Sequence, residues 1–203
     1  MLKPEEAQLI EQAIQAVERK TSCEIVVCMR DSSGEDRGTA AMAAVLALLL
    51  VLAVASAFWP DIDLLVPVGV GLALAIGAYF IWDYLDLGLK LLPARLVAED
   101  ARRAARTVFL DRGLDTTPQR NAVLLFISRA ERYVEILPDR GLAAAVPAQR
   151  WANIVTSFQE MARRKGMAEA AADAIDRIGA VCAGPFPAGA DNPDLIPNKP
   201  LTD

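Results

Sequence analysis

Residues 38–89 read GTAAMAAVLALLLVLAVASAFWPDIDLLVPVGVGLALAIGAYFIWDYLDLGL and contain neither Lys nor Arg. Two apolar runs, 39–58 and 64–82, are joined by the short link 59–63. Each run reaches about the 20 apolar residues that a helix needs to cross a bilayer core, and neither has a polar face. A pair of buried helices in a soluble protein is the alternative, but such helices seldom run so far without an ionisable group. We therefore predict a transmembrane helical hairpin.

The charged residues around the hairpin predict its orientation. The link carries Asp61 and Asp63, whereas Arg37 precedes the hairpin and Lys90 and Arg95 follow it. Because positive charge is retained on the cytoplasmic side of a membrane, we expect both flanks to face the cytoplasm. The sequence thus predicts a multi-pass protein of the inner (cytoplasmic) membrane, with the lipid bilayer as one partner and the soluble domain in the cytoplasm.

The second apolar run contains a row of small residues at four-residue spacing, Gly69, Ala73 and Gly77. Such a row lets another helix approach closely. The helix that packs there could be the first run of the hairpin, a membrane-protein partner or a second protomer in a homo-oligomer. Glycine is also common in transmembrane helices, so ordinary membrane composition explains the row equally well.

The composition excludes several classes of function. The chain has 203 residues and no His, which removes Ser-His-Asp catalysis and imidazole metal ligands. Its 21 basic residues all lie outside 38–89 and nearly balance the acidic residues there, so nothing favours nucleic acid as a partner. Cys23 and Cys28 are five apart on a predicted strand and point to opposite faces. We interpret these two and Cys182 as small core residues in a reducing compartment.

The remaining segments predict an α/β fold. Residues 4–20 have helical periodicity, and the apolar residues 24–29 suit a central strand. After the hairpin we predict a helix at 94–110, strands at 121–128 and 133–137, and two closing helices. Helices flanking apolar strands imply a three-layer α/β/α domain that is split by the inserted hairpin. The predicted parts are 1–37 (helix and strand), 38–89 (hairpin), 90–184 (remainder of the domain) and 185–203 (a Pro-rich tail, extended or disordered).

The second half of the chain resembles a known family. The stretch TPQRNAVLLFISRAERYVEI (residues 117–136), followed by Asp139-Arg140-Gly141 and by Trp151, is similar to the TPM domain. Glu18, Thr21-Ser22 and residues 24–27 resemble the opening helix and first strand of that family. The resemblance implies an α/β/α domain. In some members it implies acid phosphatase activity or divalent-metal binding, and in others a role in assembling membrane complexes.

The resemblance also implies site residues. The family pattern matches Arg120, Asn121, Asp139, Gly141 and Trp151. A carboxylate could hold Mg²⁺ or Ca²⁺ while Arg120 or Arg140 grips a phosphate. Alternatively, Asp139-Arg140-Gly141 is a turn, Arg120 forms a surface ion pair and Asn121 caps a loop.

The predicted metal ligands are Asp139, Asp115 and Asp31. In soluble family members the loop after the first strand helps to form an acidic metal site, and here the hairpin occupies that position. Asp31, Glu35 and Asp36 are the substitutes that the sequence offers.

Two hypotheses of function follow. In the first, an integral membrane protein presents a cytoplasmic TPM-like domain for binding or assembly of membrane partners. In the second, the protein is a divalent-metal-dependent phosphatase that acts on phosphomonoesters.

Overall fold

The computed structural model describes residues 2–32, 37–59, 61–84, 93–189 and 197–202. The chain forms two compact units, one made of Met1–Ser33 with Ala98–Asp203 and the other of Gly34–Val97. The described elements are α1 (Pro4–Glu18), β1 (Glu24–Arg30), α2 (Arg37–Phe58), α3 (Leu65–Tyr84), α4 (Ala94–Asp111), a 3-10 turn (Leu114–Thr116), β2 (Ala122–Ser128), β3 (Tyr133–Pro138), α5 (Arg140–Ala145), α6 (Ala148–Lys165), α7 (Met167–Cys182) and β4 (Leu201–Thr202). The predicted mixed α/β fold, interrupted by two apolar helices after the first strand, is confirmed.

A four-stranded sheet in the order β3-β2-β1-β4 organises the first unit, as far as the structure describes it. β1 and β2 pair in parallel from Glu24 opposite Ala122 to Arg30 opposite Ser128. β3 returns antiparallel to β2, with Val123 opposite Pro138. The strand before α2 and α3 therefore obtains its backbone partners from strands that follow them, which a buried central strand requires.

Both faces of the sheet are covered by helices. On one face, Val27 of β1 and Leu125 of β2 belong to a core cluster that includes residues of α1, α6 and α7. On the other face, Val26 and Phe126 pack in a second cluster with Ala105 and Val108 of α4 and with Leu114. Cys23 lies in the first cluster and Cys28 in the second, which confirms that they occupy opposite faces.

Three short elements were not predicted from the sequence: the 3-10 turn Leu114–Thr116, α5 and β4. Residues 138–141 were predicted as a loop, but Arg140 and Gly141 begin α5, because Asp139 accepts a hydrogen bond from the Arg140 amide and starts a helix. In the Pro-rich tail, Leu201 and Thr202 form β4 and pair in parallel with Cys28 and Met29. A two-residue strand leaves no periodic pattern that could predict it. Of the tail, residues 190–196 lie outside the described part of the chain.

The second unit contains the two apolar helices. Ala40–Phe58 and Leu65–Trp82 are long and apolar enough to cross a membrane, with mean hydropathies of 2.7 and 2.0. None of the first window and 17% of the second is buried within the protein. These figures weakly favour a membrane protein over a soluble core, because core helices of soluble proteins are mostly buried.

The contact between α2 and α3 does not use the predicted small-residue row. A Cβ on Gly71 would lie 2.6 Å from Cδ1 of Leu48, so α3 approaches α2 through Gly71. By contrast, a Cβ on Gly69 or Gly77 would meet no atom of the described chain within 4 Å. The structure therefore excludes α2 as the helix that packs against this row of small residues.

The packing of α1 against α7 generates a stability prediction. A Cβ on Gly179 would lie 2.4 Å from Cγ1 and 2.8 Å from Cγ2 of the buried Val17. We expect Gly179→Ala to lower the free energy of unfolding by about 1–3 kcal/mol, because a packed core resists an added methyl group. Urea unfolding followed by circular dichroism measures the effect.

Val17→Ala combined with Gly179→Ala should recover part of the loss, because the shorter side chain makes room. Gly184→Ala is the control, since a Cβ there has no described neighbour within 4 Å. Equal stability of Gly179→Ala and the unmodified chain would contradict the proposed close approach.

Candidate functional site at the two ends of the sheet

Asp139 and Arg120 are brought together at the end of the sheet where β2 begins. The Asp139 amide donates to the carbonyl of Ala122 at 2.8 Å, so Asp139 extends the pairing of β3 with β2. The carboxylate is buried. Its Oδ1 accepts from the Arg140 amide at 2.7 Å, and its Oδ2 lies 3.9 Å from Nη1 of Arg120. Oδ1 thus caps a helix start, whereas the buried Oδ2 has no hydrogen-bond partner among the described residues and faces Arg120 at ion-pair distance.

Gly141 and Arg120 hold this turn closed. The Gly141 amide donates to the Arg120 carbonyl at 3.0 Å, and a Cβ on Gly141 would lie 2.5 Å from that oxygen. Arg120 adopts a left-handed backbone conformation with φ of 53°, which is uncommon outside glycine. Only glycine fits at position 141, for the structural reason that a backbone carbonyl occupies the space.

Asn121 connects this turn to the chain before β1. Its buried side chain donates from Nδ2 to the carbonyl of Ser22, and the same nitrogen lies 3.5 Å from Oε1 of Gln119. Ser22 Oγ also donates to Gln119 at 3.2 Å. The amide of Asn121 thus links the segments on the two sides of the hairpin insertion.

The two remaining predicted ligand-binding residues do not join this cluster through their side chains. Trp151 is only 7% exposed and packs in the core cluster shared by α6 and α7. Arg140 contributes its backbone amide to Asp139, and its side chain is exposed. Their positions are those of a core residue and a solvated arginine.

The predicted metal ligands do not form one site. Asp139 lies beside the start of β2, whereas Asp31 follows the end of β1, opposite the end of β2. The seven residues of β2 separate them by roughly 20 Å, so the two carboxylates cannot ligate the same ion. Asp115 lies on the 3-10 turn. Glu35 and Asp36 lie outside the described residues, and within the described ones no group of three His, Cys, Asp or Glu could hold a metal.

The grouping of these carboxylates assumed that Asp139, which follows the end of its own strand, lies at the ligand-binding end of the sheet. β3 is antiparallel, so its carboxyl end meets the amino ends of β1 and β2. In open α/β sheets, ligands bind outside the carboxyl ends of the parallel strands. The residues present therefore do not fit a Ca²⁺ or Mg²⁺ site built from Asp139, Asp115 and Asp31, and the opposite end of the sheet is the better candidate.

A cavity of about 1040 Å³ opens at the carboxyl ends of β1 and β2. Its floor is apolar, with Ile127, Val134 and Phe158, and its wall includes the exposed Arg129, Arg132 and Arg163. The rest of its lining comprises Asp31, Ser128, Ala130, Tyr133, Gln159, Ala162 and Met167. The cavity volume is in the range of sites that accept a small ligand or part of a partner.

Basic side chains outnumber acidic ones in the lining of this cavity. Nη1 of Arg129 lies 3.0 Å from Oδ1 of Asp31, an exposed ion pair. Arg132 and Arg163 form no ion pair with any described residue. Arg132 has a φ of 51°, the second left-handed residue outside glycine in the described chain. The cavity rim is therefore positive and suited to a carboxylate or another anion.

Tyr133 borders this cavity, but its side chain packs with the core cluster on the opposite face of the sheet. Its hydroxyl donates to Oε2 of Glu135 at 2.8 Å. Burial, with that hydrogen bond and the negative charge of Glu135, raises the pKa of Tyr133 above its ordinary value. The phenol stays protonated at physiological pH.

Sequence reasoning missed Arg132 and Arg163 as members of a site. The predicted strands 121–128 and 133–137 imply a turn between them, but α6 approaches that turn only in the folded chain. The sequence did contain a signal for Arg132: a turn that connects β2 to β3 must lie at the carboxyl end of β2.

Comparisons with known proteins identify the fold and a domain within the chain. The family model of the TPM domain matches residues 93–181. The chain therefore contains a TPM domain, as its resemblance predicted. The NMR structure of the BA42 protein from the psychrophilic bacterium Bizionia argentinensis is similar with a TM-score of 0.63 and 19% identity. That likeness covers 100% of this chain and 96% of the other and shows a shared fold; none of the curated proteins matches.

Asp139 provides a test that separates a structural role from a metal site. We expect Asp139→Ala to lower the free energy of unfolding by about 1 kcal/mol, because α5 loses the acceptor for its first amide. Asp139→Ser should retain most of the stability, since serine caps helices about as well as aspartate. Thermal unfolding of the detergent-solubilised chain measures both variants.

The same measurement with added Ca²⁺ or Mg²⁺ tests the alternative, in which Asp139 is a metal ligand. If either ion raised the melting temperature of the unmodified chain but not of Asp139→Ser, Asp139 would be a cation ligand and its assignment as a helix cap would be incomplete.

Proposed function

We propose that this protein is an integral membrane protein that presents its TPM domain to the cytoplasm for binding or assembly of membrane partners. The observation that carries the proposal is the parallel pairing of β1 with β2 across two apolar helices. The proposal explains both the exposed apolar helices and the positive cavity in the domain.

Sheet pairing supports a hairpin rather than a single crossing. β1 ends before α2, and β2 begins after α3 and α4. Two strands can pair only if they lie on the same side of a membrane, so the chain between them crosses an even number of times. Two helices of spanning length meet this condition. The basic residues on both flanks and the two acids in the link favour the cytoplasmic side.

The cavity at the carboxyl ends of β1 and β2 supports a binding function. Its positive rim complements a negatively charged partner, and its apolar floor can accept the side chain next to the charge. We therefore propose that the partner is a membrane protein with an exposed acidic segment. Arginine side chains are common anchors at such interfaces, because their planar group binds carboxylates in a fixed geometry.

The hairpin topology predicts the outcome of a labelling experiment. Single cysteines replace the exposed Ser32 and Asp63 in a chain that has Cys23, Cys28 and Cys182 changed to Ala. In inverted membrane vesicles, which expose the cytoplasmic side, a membrane-impermeant maleimide should label position 32 in the native state and position 63 only after the membrane is dissolved.

Equal labelling of both positions in intact inverted vesicles would contradict the hairpin. Labelling of position 63 alone would place the domain on the opposite side. Extraction of the unmodified chain by alkaline carbonate would show that the apolar helices are not embedded in lipid.

The arginines predict the outcome of crosslinking. In native membranes, Arg132→Glu combined with Arg163→Glu should reduce the yield of crosslinked partner about tenfold, because reversed charges repel an acidic segment. Arg164→Glu is the matched control: it is exposed on the same helix as Arg163 but does not line the cavity. Equal yields from the double variant and the control would refute the cavity as the binding surface.

A further inference from the structure

The outer edge of β1, on the side away from β2, is paired over a short stretch. All seven residues of β1 pair with β2. On the outer side, Cys28 and Met29 alone have strand partners among the described residues, and these are Leu201 and Thr202 of β4. An exposed strand edge is a place where another chain can add a strand. β4 therefore covers part of an edge that is able to accept an extended segment.

Few contacts hold β4 in place. It is two residues long, whereas strands of globular proteins usually have about five or six. Leu201 is half-buried against the core cluster on the α4 face of the sheet, and Thr202 is exposed. Pro200, which precedes them, is buried but has no amide hydrogen to donate. A segment with so few contacts opens locally at a much lower free-energy cost than the whole domain.

The direction of β4 connects it to the positive cavity. β4 is parallel to β1, so it runs toward the end of the sheet where that cavity opens. At this end Thr202 lines a smaller cavity of about 220 Å³. Asp31, Arg129 and Met167 line both cavities, which are therefore neighbours. A strand in the position of β4 thus leads to the arginine rim.

The sequence at β4 has the chemistry that the cavity favours. The apolar Leu201 is followed, after Thr202, by the acidic Asp203, which lies outside the described residues. The partner proposed above likewise presents a negative charge with an apolar side chain next to it. The tail and the partner therefore resemble each other in the two features that the cavity recognises.

We propose that the edge of β1 at Cys28 and Met29 is a docking site for an extended segment of the membrane partner. This segment displaces β4, pairs in parallel with β1 and places its acidic residue at the arginine rim. The inference rests on the proposed function and gives its binding mode, which is strand addition. β4 acts as an inhibitor within the chain, because the partner binds only those molecules in which β4 is detached.

A synthetic peptide tests the site without the partner. The probe is the peptide PNKPLTD, residues 197–203, with a biotin and a photoreactive group at its amino end. It should crosslink to a chain shortened after Pro197 about tenfold more than to the unmodified chain, in which β4 occupies the site. The Leu201→Asp peptide is the matched control and should give no crosslink above background.

A reversible disulfide tests whether β4 must leave. Met29→Cys and Thr202→Cys, in a chain whose three native cysteines are changed to Ala, place two thiols at paired positions. Neighbouring strands lie about 4.8 Å apart, which suits a disulfide. Oxidation should lower the yield of crosslinked partner in native membranes about tenfold, and reduction should restore it. The Thr202→Cys single variant is the control and should give the same yield in both states.

Two results would overturn the docking site and leave the proposed function intact. One is an equal yield of partner from the oxidised and the reduced double variant. The other is equal crosslinking of the peptide to the shortened and the unmodified chain. Absence of any crosslinked partner from the unmodified chain would instead refute the proposed function, and this inference with it.

Discussion

The parallel pairing of β1 with β2 is the constraint on which the rest of this structure depends. β1 is buried on both faces, and its backbone amides and carbonyls need partners that only later strands supply. The chain nevertheless inserts two long apolar helices between these strands. Any membrane topology must keep both flanks of the insertion on one side. The backbone hydrogen bonds that β1 needs therefore restrict how the chain can cross a membrane.

Strand direction divides the polar residues between the two ends of the sheet. Where β2 begins, Asp139 and Asn121 form side-chain hydrogen bonds to the backbone. Gly141 lies there too, at a position where a side chain would meet the Arg120 carbonyl. Where β2 ends, Arg132 and Arg163 line a cavity without an ion-pair partner in the described chain. Buried polar groups that are bonded within the chain stabilise the fold, whereas exposed charges at a cavity are available to a ligand.

Most of the fold could be predicted from the sequence, because hydrophobic periodicity and charge report directly on helices, strands and the apolar insertion. The family model starts at residue 93, so the place of β1 in the domain rests on the apolar pattern of 24–29 and on the sheet itself. The site was less predictable. Asp31 and Asp139 look equivalent in sequence, and only the direction of β3 separates them. Arg163 reaches the cavity through tertiary packing, which leaves no local signal.

A chain in which a flexible Gly/Ser linker replaces residues 34–92 tests the central claim most directly. A linker of about 12 residues spans roughly 20 Å as a random coil. If β1 belongs to one domain with the later strands, this chain should be soluble without detergent and should unfold in urea in one cooperative transition followed by circular dichroism. Aggregation without detergent, or a transition that is unchanged when β1 is disrupted by Val27→Asp, would contradict the account.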